Sequence, residues 1–75
     1  MITVYTKTTC APCQTLKYWL KSKNVQYEEK NLDKNPELLS ELVEKTGMMM
    51  VPVVEIGEEL IQGLNLSLLS QKIVL

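Results

Sequence analysis

Apolar and polar residues alternate through Ile2-Thr3-Val4-Tyr5, the period of a short half-buried strand. The period then changes. From Cys13 to about Lys23, Leu16, Trp19, Leu20 and Lys23 fall at helical spacing, which predicts a first helix with Trp19 on its core side and Tyr18 pointing away. Asn24-Val25-Gln26-Tyr27-Glu28-Glu29 restarts a β-like pattern that leads to Leu32. Asn35-Pro36-Glu37 reads as an N-cap, a proline at the first helical position and an acid in the first turn, ahead of an apolar stripe of Leu38, Leu39, Leu42 and Val43. Lys45 and Gly47 close that helix as a basic last turn and a left-handed cap. Two further strands, Val51 to Ile56 and Glu59 to Ile61, are expected to form a hairpin through Gly57-Glu58. Asn65 then caps a short last helix with Leu66, Leu69 and Ile73 on one side.

The expected order is therefore β-α-β-α-β-β-α. A right-handed βαβ crossover makes the first two strands parallel, and the hairpin adds an antiparallel pair. This is an α/β chain of the minimal thioredoxin-like architecture, a four-stranded mixed sheet flanked by three helices. Seventy-five residues with no repeat, low-complexity segment or linker predict a single domain over residues 1–75. A chain of this size buries only a little over ~60% of its unfolded surface, so its core has to be economical.

Charge narrows the partners. Eight basic and nine acidic side chains give a net charge of −1, without the basic stripe that nucleic-acid binding requires. The N-terminal segment is too short and polar for a signal peptide, and no apolar run approaches the ~18 residues that span a bilayer. The expectation is a cytoplasmic protein with neither nucleic acid nor membrane as partner. Two cysteines suit a reducing compartment, where disulfides are transient, better than a secreted scaffold.

Those two cysteines occur as Cys10-Ala11-Pro12-Cys13, between a strand and a helix. A purely structural crosslink is one reading, but closing so short a loop stabilises a fold by only roughly 2 kcal/mol in the chain-entropy model. Half of a zinc site is another, yet structural zinc takes four Cys or His ligands and the chain has no further Cys and no His. A metal site within one chain is accordingly not expected; a metal or cluster site built between chains stays open. The favoured reading is a redox-active dithiol.

Position explains why. Cys10 falls at or just before a helix N-terminus, where free N–H groups and the positive end of the macrodipole favour a thiolate. Lys7, in the same loop, adds a positive charge. A thiol of pKa ~8.5 is only ~3% ionised at neutral pH, whereas one lowered to ~7 is about half ionised. Its nucleophilicity falls with its basicity, so the larger gain is as a leaving group. Cys10 is thus the expected nucleophile. Cys13, further into the helix, is the expected resolving thiol, and Pro12 stiffens the segment between them.

Tyr5-Thr6-Lys7-Thr8-Thr9-Cys10-Ala11-Pro12-Cys13, then Val51-Pro52, then Gly63, in this element order, resembles the glutaredoxin family and its close relatives, the NrdH-like redoxins. The likeness covers nearly the whole chain. It implies a thiol–disulfide oxidoreductase that reduces protein or small-molecule disulfides as a monomer. Pro52, otherwise unremarkable as a strand-opening residue, is by resemblance a cis-proline lying against the sulfurs, and Val51 offers its main chain to an extended peptide or to glutathione. Lys7, Val51, Pro52, Gly63 and Asn65 are the binding residues so implied. No tightly bound cofactor is implied; glutathione is a candidate co-substrate. Where glutathione-using members carry Gly-Gly-x-Asp, this chain has Gln62-Gly63-Leu64-Asn65, so the electron donor is either glutathione or, as for NrdH-like redoxins, thioredoxin reductase. The alternatives are an iron–sulfur cluster held between two protomers through Cys10 and glutathione, and a non-enzymatic adaptor of the same fold. Met48-Met49-Met50 precede Pro52; at least one is expected in the core and the rest on a docking surface.

Overall fold

A computed structural model of the chain describes residues 2–73. Its elements run β1 (Ile2–Thr6), α1 (Ala11–Ser22), β2 (Tyr27–Asn31), α2 (Glu37–Thr46), β3 (Val53–Ile56), β4 (Glu59–Gln62) and α3 (Leu66–Lys72). The strands form one sheet in the order β2-β1-β3-β4. β1 pairs parallel with β2, placing Ile2 opposite Tyr27, and antiparallel with β3, placing Tyr5 opposite Val53. The β3–β4 hairpin pairs Val53 with Gln62. This is the expected four-stranded mixed sheet with three helices.

Alternation along the strands divides the core. Val4, Val54 and Ile61 point to one face, where they pack with Leu16 and Leu20 of α1 and with Leu69 and Ile73 at α3. Tyr5 and Val53 point to the other, against Leu32, which follows β2, and Leu42 of α2. Each fully buried leucine contributes about 2–3 kcal/mol by leaving water. Trp19 lies half-buried against the first cluster, as its place on the α1 stripe predicts, and Tyr18 is exposed.

Strands β1 and β4 each run one residue further than the sequence reading, to Thr6 and Gln62, and four element starts differ from it. α1 starts at Ala11, two residues before Cys13, because Cys10 itself is the N-cap and Pro12 fits the first turn without needing its missing N–H. β2 starts at Tyr27 rather than Asn24. Asn24 is left-handed, with φ 57°, and closes α1: its N–H bonds the Lys21 carbonyl at 3.1 Å and the next N–H, of Val25, bonds that of Leu20 at 3.0 Å. This is the paired closure of a Schellman motif, with asparagine in the place glycine usually takes. β3 starts at Val53, since Pro52 has no N–H for the ladder; the Val51–Pro52 bond is cis. At α2 the regular helix begins at Glu37, with Pro36 already in helical dihedrals; the Asn35 side chain still accepts the Glu37 N–H at 3.2 Å. Gly47 caps that helix at φ 78°, as expected.

The methionines also need correction. Met48, Met49 and Met50 are all exposed, at 43%, 66% and 44%, so none fills the core. Gly47 ends α2 and the chain returns to β3 as an open loop, which leaves all three on the surface.

Candidate active site

The sheet topology gathers the sequence-predicted residues at one end. β1 ends at Thr6 and leads through residues 7–9 to Cys10. Because β3 is antiparallel to β1, its start, with Val51 and Pro52 before it, lies at that same end. β4 finishes there too and delivers Gly63 and Asn65.

Cys10 and Cys13 are joined by a disulfide, with their Cα atoms 5.2 Å apart, within the span such a bond requires. Cys10 is half-buried and Cys13 fully buried. The sulfur of Cys10 accepts the Cys13 N–H at 3.1 Å, while its carbonyl accepts the Gln14 N–H at the same distance. The Cys10 side chain is therefore the cap of α1, on the positive end of a 12-residue helix that favours negative charge there.

Beside it, Pro52 is buried and its carbonyl accepts the Gly63 N–H at 2.9 Å, tying the start of β3 to the end of β4. Gly63 meets this bond at φ 78°. Val51 is half-buried, and neither its N–H nor its carbonyl is bonded among the described residues. Asn65 caps α3, its side-chain oxygen accepting the Leu68 N–H at 3.1 Å. Lys7 is half-buried and pairs with no carboxylate among the described residues.

The loop before Cys10 is anchored by residues the sequence reading passed over. The Asp33 carboxylate accepts the Thr8 N–H at 2.8 Å, and the Asn31 amide donates to the Thr8 hydroxyl at 3.4 Å. Asn31 in turn accepts the Asp33 N–H at 2.8 Å. The signal was present: an Asx turn at Asn31-Leu32-Asp33 is the local chemistry asparagine favours.

Two polar clusters brace the sheet. Fully buried Thr6 donates its hydroxyl to Glu29 at 2.6 Å, and Lys17 of α1 pairs with the same carboxylate at 3.0 Å. Burial works against the charge of Glu29, but the Thr6 and Lys17 hydrogen bonds outweigh it and hold the carboxyl below its usual value. On the other face, the buried Tyr5 hydroxyl donates to Glu41 at 3.1 Å and accepts from Lys45 at 3.0 Å. Lys30 and Lys45 each lie 5.6 Å from the Tyr5 ring centroid, within cation–π range. The Lys30 hydrogen bond holds Glu41 low, and the Tyr5 and Glu55 bonds push Lys45 well above the usual lysine value.

Among the described residues no cluster of His, Cys, Asp and Glu is arranged to hold a metal ion, and no helix is long and apolar enough to cross a membrane.

A family model described as glutaredoxin matches residues 2–61. The chain is 35% identical over 54 residues to the glutaredoxin-like protein NrdH of Lactococcus lactis subsp. lactis, covering 72% of this chain and 74% of that protein. It is 37% identical over 62 residues to a glutaredoxin of Pseudomonas aeruginosa, covering 83% and 74%. The crystal structure of the thioredoxin-like protein BC3987 superposes with a TM-score of 0.89 at 33% identity, over 97% of this chain and 100% of that one.

Proposed function

The chain belongs to the glutaredoxin family, and from that premise we propose that it is a thiol–disulfide oxidoreductase in which Cys10 attacks and Cys13 resolves. The observation that carries this reading is the asymmetry of the pair: a part-exposed sulfur capping a helix, bonded by the N–H of its fully buried partner.

In the reduced protein the Cys10 thiolate attacks one sulfur of a partner disulfide, forming a mixed disulfide and expelling a partner thiolate, which takes a proton from solvent. Cys13 then gives up its proton and attacks the sulfur of Cys10. The mixed disulfide breaks, the second partner thiolate leaves, and the Cys10–Cys13 bond holds the two electrons' worth of oxidation. The Cys13 N–H and the helix end favour the anion at Cys10 that makes the first attack. Val51 supports the binding half of the reading, because its free N–H and carbonyl match an extended substrate strand laid beside it.

For the reductant that reopens the pair, the segment Gly63-Leu64-Asn65 favours thioredoxin reductase over glutathione. It supplies no carboxylate for the ammonium group of glutathione, and the Asn65 oxygen already serves the α3 cap. A dithiol that must be continually reduced fits a cytoplasmic setting.

Serine substitution tests the assignment: Cys13→Ser should accumulate a mixed disulfide with substrate and Cys10→Ser none, and the reverse pattern would exchange the roles. NADPH consumption by the oxidised protein with thioredoxin reductase, and its absence with glutathione and glutathione reductase, would establish the donor.

A further inference from the structure

Charge is segregated along this chain. Six of its eight lysines but only three of its nine acidic side chains precede Asn35, which gives β1, α1, β2 and their loops a net charge of +3 and leaves −4 on residues 35–75. The four lysines that meet no carboxylate among the described residues, Lys7, Lys21, Lys23 and Lys34, all belong to the basic part. The sheet order puts β2 on one edge, across β1 from β3 and from the Val51 main chain before it.

An open groove of about 660 Å³ lies between α1 and this edge, a volume in the range of ligand sites. Its α1 wall carries Gln14, Lys17, Tyr18 and Lys21, and its β2 wall carries Tyr27 and Glu29. Lys17 is neutralised by Glu29 at 3.0 Å, whereas Lys21, one turn further along the helix, is exposed and unpaired. Tyr18 is 76% exposed, more than any other large apolar side chain among the described residues. Glu28, Glu29 and Lys30 on β2 are the charges expected of a sheet edge that has to be kept from aggregating. Tyr18 and Lys21 stand on the helix, and edge protection does not account for them.

We propose that this groove docks an acidic segment of a partner protein, laid in extended form beside β2, with a carboxylate on Lys21 and an apolar side chain between the Tyr18 and Tyr27 rings. β2 has no neighbour on its outer side, so its outward N–H and carbonyl groups match the main chain of an added strand. Charge complementarity identifies the occupant. A strand places acidic side chains at chosen positions, setting one on Lys21 and neutral ones beside Glu28 and Glu29. A nucleic acid brings a phosphate at every step, against those two carboxylates as well as the lysine.

The test measures fluorescence anisotropy with the oxidised protein and a short labelled peptide that alternates glutamate with valine and contains no cysteine, so thiol exchange takes no part. At low salt it should bind at least about fivefold more tightly than a twin with glutamine in place of glutamate, and the advantage should shrink below about twofold near 0.5 M salt. The double variant Y18A/K21Q should lose most of that advantage. K72Q, which removes an equal charge on α3, should keep it. Equal affinity for the two peptides, no binding, or an equal loss in K72Q would each overturn the proposal. So would a single-stranded oligonucleotide of the same charge that binds more tightly than the peptide and loses its affinity in Y18A/K21Q. None of these outcomes bears on the oxidoreductase reading, which the serine variants test separately.

Discussion

The main-chain N–H of Cys13 is bonded to the sulfur of Cys10 at 3.1 Å, so the residue expected to resolve the mixed disulfide also stabilises the atom expected to form it. A hydrogen bond to the charged form of a group favours that form. In the reduced protein Cys10 should therefore be alkylated by iodoacetamide with a midpoint below the ~8.5 of a free thiol. Cys13, fully buried, should react slowly across the same range. Measuring alkylation rate against pH in Cys13→Ser, with peptide mapping in the wild type, checks both. A midpoint at the free-thiol value would remove the helix-end argument.

Asp33 should act on the same sulfur indirectly. Its carboxylate holds the Thr8 N–H at 2.8 Å, two residues before the α1 cap, and its own N–H is held by Asn31. Asp33→Ala deletes the acceptor and frees the loop, and should slow attack by Cys10 about fivefold, equivalent to ~1 kcal/mol of positioning. Asp33→Asn keeps an oxygen at that place and should restore most of the rate. A loss as large in the asparagine variant would assign the effect to charge instead of to the loop.

Much of this arrangement was readable in the chain because it is local. Cys10-Ala11-Pro12-Cys13, the Asn65 cap and the Gly47 terminus are each set by a few neighbouring residues whose conformational preferences agree with the fold. Asn24 escaped the reading because the same residue type suits a turn, a strand edge or a left-handed cap, and the choice is made by the carbonyls of Leu20 and Lys21. Of the methionines, only the one expected in the core escaped it, because apolarity predicts burial only where a partner surface meets the side chain, and all three are exposed in the loop after Gly47. Contacts such as Asp33 with Thr8 or Tyr5 with Glu41 join residues 25 and 36 positions apart, and no local pattern encodes them.

Tyr5 is fully buried and its hydroxyl links Glu41 to Lys45. Tyr5→Phe keeps the ring and its contacts with Leu42 and Val53 but removes both hydrogen bonds. Glu41 and Lys45 are already 3.4 Å apart and partly solvated, so they can pair with each other and with water. The expected loss is about 1–2 kcal/mol, read as a lower urea midpoint with unchanged slope. The rate of Cys10 alkylation should not move, since neither lost bond touches the loop before α1.

Acid should weaken the fold through two particular carboxylates. Glu41 is held low chiefly by the Lys30 hydrogen bond, and Glu29 is held low by Thr6 and Lys17 against the opposing effect of burial. Between the folded and the ordinary glutamate values the unfolded chain binds more protons, so stability rises with pH there. Each contribution is complete above the ordinary value and disappears as pH falls through the lowered, folded one. Lys45 works in the opposite sense: raised by its bonds to Tyr5 and Glu55, it contributes fully below the ordinary lysine value and is lost only in strong alkali. The chain has no histidine, and in the oxidised protein neither thiol titrates. Urea midpoints of the oxidised protein should therefore be nearly level from about pH 6 to 9 and fall below about pH 4.5. Both carboxylates are about a third exposed, so Glu29→Gln and Glu41→Gln should each lower stability at neutral pH by at most about 1 kcal/mol. Each should also flatten the acid limb. An acid limb equally steep in the double variant would place the controlling protons on other groups.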